Sequence, residues 1–257
     1  MATTRRAALD LERYALIGDT QTAGLVGDDG SLDWLCLPRF DSAACFAALL
    51  GDERHGRWLL APASAVVRVS RRYRPGTLVL ETEFETTQGV VRIIDCMPPR
   101  GSLPDVVRLV CGVRGRVPMR TELTVRLDYG SVVLWLRSDV ELDGERLSTV
   151  GEFSIGEGEE AGFVLTWAPS HEDAPRQAEP RALVRDTTSW WERRTGGSSG
   201  LSAAPTTAIT ATRCSGRWSR SRRSRSRRPA VSSPLRQRRC PSSSAACATG
   251  LPLLLGA

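Results

Sequence analysis

The stretch from Asp33-Trp34 to Pro38-Arg39-Phe40-Asp41-Ser42 holds the side chains best placed to do chemistry. Arg39 and Asp41 flank a turn bounded by Pro38, and a guanidinium beside a carboxylate can form a charge-assisted pair that fixes a loop. The competing reading makes Asp41 the cap of a following helix, Arg39 its partner and Trp34 a core residue. Trp34, Arg39 and Asp41 are the candidate binding residues. Glu81, Glu83 and Glu85 are close enough to suggest paired acid and base. Their spacing of two puts them on one strand face, and a solvated face is the expectation. His55, in Asp-Glu-Arg-His-Gly, reads as a surface turn residue.

Metal and thiol chemistry find little support. Only His55 and His171 are present, too few for a histidine-based site. Asp28-x-Gly30 does not continue into a calcium loop. Cys36, Cys45, Cys96 and Cys111 lie in apolar runs and read as buried, inert thiols. None of the seven cysteines forms a C-x-x-C pair, so no disulfide scaffold is indicated. No cofactor is called for.

The elements around these residues read as β structure. Thr22–Gly27 and Leu32–Leu37 flank Asp28-Asp29-Gly30, and Asp-Gly between apolar runs is a hairpin signal because Gly supplies positive φ. Pro38 stops the second strand. Asp41-Ser42 before Ala43–Leu50 and Gly51 predicts a short capped helix. Further strands are expected at Gly56–Leu60, Val66–Ser70, Leu78–Phe84, Val90–Met97, Val106–Val113, Met119–Leu127, Val132–Leu136 and Gly162–Trp167. Asp28-Asp29-Gly30 and Asp143-Gly144 read as turns. Many short strands joined by Gly, Pro and Asp turns indicate a mainly β fold, an antiparallel β-sandwich with short helices. Pro169–Pro180 reads as a polar linker. Arg181–Arg193 reads as a helix carrying Trp190-Trp191, which would pack on the sandwich or cover an interface.

Charge divides the chain. It has 257 residues, and all 29 acids lie at or before Glu192. All 35 basic residues are Arg, and 11 of them follow Gly197, so the body carries −5 and the tail +11 of the net +6. No apolar run reaches the roughly 18 residues of a spanning helix. The N-terminus lacks the apolar core of a secretory signal. A cytoplasmic protein without a membrane partner is the expectation.

Four ordered strings then carry a resemblance. They are Gly24-Leu-Val-Gly-Asp-Asp-Gly-Ser-Leu-Asp-Trp-Leu-Cys-Leu-Pro-Arg-Phe-Asp-Ser42, Leu49-Leu-Gly-Asp-Glu-Arg-His-Gly-Arg-Trp58, Arg72-Tyr-Arg-Pro-Gly-Thr-Leu-Val-Leu-Glu-Thr-Glu-Phe84 and Ile94-Asp-Cys-Met-Pro98. Together they resemble the N-terminal β domain of bacterial glycoside hydrolase family 15, which includes glucoamylases and trehalases. The resemblance spans roughly residues 8 to 192. It implies a sandwich at 8–180 and a linker helix at 181–194, leading toward an (α/α)6 barrel. It also implies that the two catalytic Glu residues of an inverting mechanism lie in that barrel, beyond this domain. The full-length parent would hydrolyse α-glucosidic bonds, with an α-glucan or trehalose as substrate. The loop of Arg39 and Asp41 would then stand at the barrel mouth or touch sugar hydroxyls. This chain alone would be inactive, its alternative role being a noncatalytic carbohydrate- or partner-binding module.

Residues 195–257 are rich in Arg, Ser, Ala and Pro, with Arg220-Ser-Arg-Arg-Ser-Arg-Ser-Arg-Arg228 at their centre. That composition predicts disorder. An Arg/Ser segment could bind nucleic acid, but a different origin is favoured. Cys240–Gly250, back-translated and read one nucleotide earlier, can become Leu-Pro-Glu-Gln-Leu-Gly-Gly-Val-Arg-Asn-Trp. That peptide resembles the family's stretch before its catalytic-domain motif. Pro205–Trp218 and Ala230–Cys240 also give family-like peptides in the same frame. The tail therefore reads as an out-of-frame translation of GC-rich DNA, with the shift between Trp191 and Ala204, and no nucleic-acid role is expected.

Overall fold

The computed structural model describes residues 9–126, 132–172, 175 and 178–195. Expectations made for residues 196–257 lie outside them. Thirteen strands are present among the described residues, and every pairing is antiparallel. They are β1 (Tyr14–Gly18), β2 (Ala23–Gly27), β3 (Ser31–Cys36), β4 (Ala44–Phe46), β5 (Arg57–Pro62), β6 (Val66–Tyr73), β7 (Leu80–Thr86), β8 (Gly89–Cys96), β9 (Asp105–Thr124), β10 (Val132–Ser138), β11 (Asp143–Glu145), β12 (Ser148–Gly156) and β13 (Glu160–Pro169), followed by the helix α1 (Pro180–Arg194). The main path runs β1-β2-β3-β5-β9-β8-β7-β6. The sheet curls on itself to make the expected sandwich.

β9 joins the two layers. Its first half lies between β8 and β13, with Val110 opposite Ile93 and Ala161. Its second half lies between β5 and β12, with Thr121 opposite Leu60 and Gly151. The sequence suggested two strands here, 106–113 and 119–127. The structure has one, because Gly115 at φ +70 lets the chain bend from one layer to the other without ending.

The core lies between the layers. Leu32, Leu35, Phe46, Trp58 and Leu60 meet Leu80, Phe84, Val91, Ile93, Val110 and Phe163. The outer face of β8, β9 and β13 is buried as well, since Ile94, Cys96, Val107, Leu109 and Val164 lie beneath Val184 of α1. A sheet covered on both faces explains why Ile93, Ile94, Cys96 and Met97 are buried in succession rather than alternately.

Two local expectations are corrected. Segment 43–50 is not a helix. Ala44–Phe46 pairs with β3, and Cys45 and Phe46 are buried, so tertiary pairing overrides helix propensity. Only Ala48–Leu50 makes a 3-10 turn, and Asp41 caps nothing. Asp143-Gly144 is strand β11, and the turn falls at Arg146-Leu147, both at positive φ. β1 and β12 complete the sheet.

One ion pair lies inside this core. Asp95 on β8 and Arg108 on β9 are directly opposed, and each side chain is 1% exposed. Arg108 donates through Nε to Asp95 Oδ1 at 2.8 Å. It donates through Nη1 to the Trp58 carbonyl at 2.7 Å and through Nη2 to the Gly30 carbonyl at 2.8 Å. Its guanidinium also lies 5.2 Å from the Trp58 ring centroid, a cation–π distance. Removing one partner of a buried pair leaves an uncompensated charge and typically costs about 3–5 kcal/mol. Arg108→Met is expected to lose that much stability in urea unfolding, and a loss below about 1 kcal/mol would contradict the role given to the pair.

Candidate functional site

Of the three predicted binding residues, two form an ion pair. Arg39 Nε lies 3.0 Å from Asp41 Oδ1. Their side chains remain 67% and 73% exposed. The pair holds the Asp41 carboxyl below its ordinary range. Between them Phe40 is 63% exposed, a large aromatic left in water. Trp34 sits on β3 opposite Leu25, half-buried, and among the described residues no hydrogen bond or ion pair joins it to Arg39 or Asp41.

The loop carrying Arg39, Phe40 and Asp41 is held by its backbone. Arg39 N–H donates to Ser42 Oγ at 3.1 Å, and Ser42 N–H donates to the Arg39 carbonyl at 3.1 Å. Phe40 N–H donates to the Gln21 carbonyl at 3.2 Å. Beneath the loop lies a second internal ion pair, Arg100 with Asp19, 10% and 0% exposed. Arg100 Nε donates to Asp19 Oδ2 at 2.6 Å, and Nη2 donates to the Pro38 carbonyl at 2.6 Å. Asp19 Oδ1 accepts from the N–H groups of Gln21 and Thr22 at 2.9 and 2.8 Å. Thr22 Oγ1 then donates to the Cys36 carbonyl at 2.5 Å. Asp19 and Arg100 escaped the sequence reading. They lie 81 residues apart, and nothing in local spacing links them.

The other candidates are structural. His55 closes a 3-10 turn, with Asp52 Oδ1 accepting from Arg54 N–H and the His55 ring accepting from Asp52 N–H. Cys36, Cys45 and Cys96 are buried and Cys111 is half-buried. Burial pushes the Cys45 and Cys96 thiols up to about 12 and Cys111 to about 11, which keeps them protonated and unreactive. Trp190 and Trp191 meet edge-on at 5.0 Å. Trp191 follows Val184 by seven residues, on the docked face of α1, and its Nε1 is buried. The groove beside α1 has a volume of about 400 Å³ and is lined by Arg74, Glu160, Arg181 and Arg185 among others. Glu160 in it is 3.3 Å from Arg181, which makes it an ion-pair partner rather than a free acid.

Glu81 departs from the expected solvated face, whereas Glu83 and Glu85 are only half-buried. It is 7% exposed, with Arg72 at 2.8 Å and Arg74 at 2.9 Å. Arg74 Nη1 also donates to Thr188 Oγ1 of α1 at 3.0 Å, so the carboxylate anchors the helix through one arginine. Burial raises the Glu81 pKa, but the two arginines outweigh it and hold it below its ordinary value.

The geometry defines a β-sandwich domain that presents a charged loop with an exposed aromatic side chain. The family described as Trehalase-like, N-terminal matches residues 3–152. The chain belongs to that family. It is 33% identical to a trehalase of Mycobacterium tuberculosis over 171 residues, which are 63% of this chain and 24% of the relative. It is 33% identical to a trehalase of Mycolicibacterium smegmatis over 151 residues, 55% of this chain and 22% of the relative. A trehalase 2 of Sulfolobus acidocaldarius matches at 33% over 119 residues, 46% of this chain and 19% of the relative. The chain thus spans about a quarter or less of the curated relatives it matches. Among the described residues no helix is long and apolar enough to cross a membrane.

A carboxylate with a lowered pKa stabilises the fold above its ordinary value, about 4.3 for Glu, and that contribution is lost as pH falls through the lowered one. Amide exchange in α1 is expected to accelerate, relative to intrinsic rates, on acidification through that range. Glu81→Gln should show fast exchange already at neutral pH and a weaker acid response. An identical pH profile in wild type and variant would contradict the anchor.

Proposed function

We propose that this chain supplies the N-terminal accessory domain of a trehalase-like glycosidase acting on trehalose, and that the Arg39–Asp41 loop, with Trp34 nearby in sequence, contributes to sugar binding. The match of residues 3–152 to the trehalase-like N-terminal family carries this reading. Trehalose is favoured over an α-glucan because the relatives named above are trehalases. In this reading hydrolysis proceeds with inversion, using two carboxylates set roughly 6.5–9.5 Å apart, and those groups belong to a separate catalytic domain.

The chemistry of the described carboxylates supports that division. The buried ones are tied into the fold. Asp19 is bound by Arg100, Asp95 by Arg108, and Glu81 by Arg72 and Arg74. Asp33 accepts from Tyr14 and Ser31 hydroxyls, and Asp52 accepts from Arg54. A carboxylate whose oxygens are taken up by buried internal partners is not free to face a substrate. Arg39 and Asp41, by contrast, offer N–H donors and carboxylate acceptors to solvent, the complement of sugar hydroxyls.

Residues 195–257 are inferred to be an out-of-frame translation, and resequencing the gene from the Arg181 codon onward tests it. An indel near Trp191 whose correction opens a frame encoding Asn-Trp-Asp-Tyr-Arg supports the inference. A confirmed sequence with no such frame overturns it.

The purified 257-residue chain is expected to release no glucose from trehalose above a blank, and release would overturn the division of labour. In a full-length enzyme carrying this domain, Arg39→Ala is expected to raise KM for trehalose about 10- to 100-fold, the cost of one charge-assisted hydrogen bond. An unchanged KM would remove the loop from the binding site.

A further inference from the structure

We infer that Arg100 is a positioning residue: through the buried Asp19 carboxylate and the Pro38 carbonyl it holds Arg39, Phe40 and Asp41 in one preorganised sugar-binding conformation. The sugar part of this inference rests on the loop reading above. The holding part rests on geometry alone.

The side chains of Arg39, Phe40 and Asp41 do not fix the loop, and the Ser42 hydroxyl closes only the local turn. The Arg39–Asp41 pair is more than two-thirds exposed on both sides, and exposed pairs are weak because water screens them and side-chain entropy opposes them. Phe40, 63% exposed, leaves most of its ring outside the packing. What ties that turn to the rest of the domain lies beneath it. There, Arg100 connects three separate segments with two short hydrogen bonds. One bond goes to Asp19 in the β1–β2 turn and the other to Pro38 at the head of the loop. The same turn returns a third contact, since Gln21, whose N–H is held by Asp19, accepts from Phe40 N–H. Thr22, also held by Asp19, bonds the Cys36 carbonyl where β3 ends. The pair thus grips the loop on both sides of Leu37.

A buried ion pair gives little net stability, because desolvation offsets much of its attraction. Two charges placed here are therefore poorly explained as a stability device. They make sense as a fixed support, since the guanidinium fork imposes direction as well as distance. A rigid loop loses less conformational entropy on binding. An exposed aromatic between an exposed cation and an exposed anion then faces solvent ready for a sugar ring and its hydroxyls.

The test uses the full chain and tryptic cleavage after Arg39, followed by mass spectrometry, with and without millimolar trehalose. In wild type, cleavage there is expected to be slow and to slow further with trehalose. In Arg100→Gln, cleavage after Arg39 is expected to rise about tenfold or more relative to cleavage after Arg126, and the trehalose protection to vanish. Arg100→Lys, which keeps the charge but cannot fork to both oxygens, should fall between the two. A uniform rise at both sites would mark global destabilisation and overturn the positioning role. Equal cleavage after Arg39 in wild type and Arg100→Gln would overturn it as well. If trehalose fails to protect wild type while Arg100→Gln still loosens the loop, the holding role stands and the sugar reading falls. If Arg100→Gln does not fold, Arg100→Lys decides, and wild-type behaviour there overturns the role.

Discussion

The fold depends on how one arginine is neutralised inside a β core. Arg108 points between the layers with Val106 and Val110 on either side of it along β9. A lone guanidinium there would be prohibitively costly. Its neutralisation draws on both layers. The counter-charge comes from the next strand of its own layer, while the two carbonyls come from β5 and the β2–β3 turn in the other. The layers must therefore approach with those carbonyls in register, or three donors go unsatisfied. Gly30 shows how tight the fit is. Its carbonyl accepts from both Leu60 N–H and Arg108. It sits at φ +83, and a Cβ there would collide with the Leu60 carbonyl oxygen. The Asp-Asp-Gly turn that reads as a hairpin signal is also the point where the two layers are locked together.

The sequence made legible what depends on neighbours in the chain. The β2–β3 hairpin follows from Asp-Gly, and α1 follows from a Pro start and a helix-compatible run. Long strands such as β8 and β13 follow from apolar content. What failed depends on partners far away. Ala43–Leu50 has the composition of a helix, yet Cys45 and Phe46 are drawn into the core as strand residues beside β3. β9 contains Gly112, Gly115 and Pro118, each a local stop signal. It continues because successive partner strands take over its hydrogen bonds on both sides. Glu81 alternates with its neighbours like a solvent-facing residue, yet Arg72 and Arg74 close over it, and Arg74 also reaches the later helix.

The candidate site divides in the same way. Arg39 and Asp41, two residues apart, pair as their chemistry suggests. Trp34 lies on strand β3 rather than on the loop and, among the described residues, makes no hydrogen bond or ion pair to either. Their anchor was invisible, since Asp19 and Arg100 come from turns at opposite ends of the domain's first hundred residues. Local sequence can reveal which side chains are presented to solvent. It cannot reveal what holds them there when the support is a pair brought together by the fold.

Asp19 shows why the support takes this form. The residue after it, Thr20, has φ +76, a left-handed conformation uncommon for a β-branched side chain. Such strain persists only where surrounding bonds over-determine it. Here Asp19 accepts from the two N–H groups that follow the strained residue, and Asp19 N–H itself donates to the Thr22 carbonyl at 3.3 Å. A relaxed turn would aim Gln21 elsewhere and leave Phe40 N–H without its acceptor. The exposed pair on the loop and the buried pair beneath it are thus unequal partners. The first can be altered with little effect on the fold but changes what the loop offers to solvent. The second offers nothing to solvent, yet the loop's conformation depends on it.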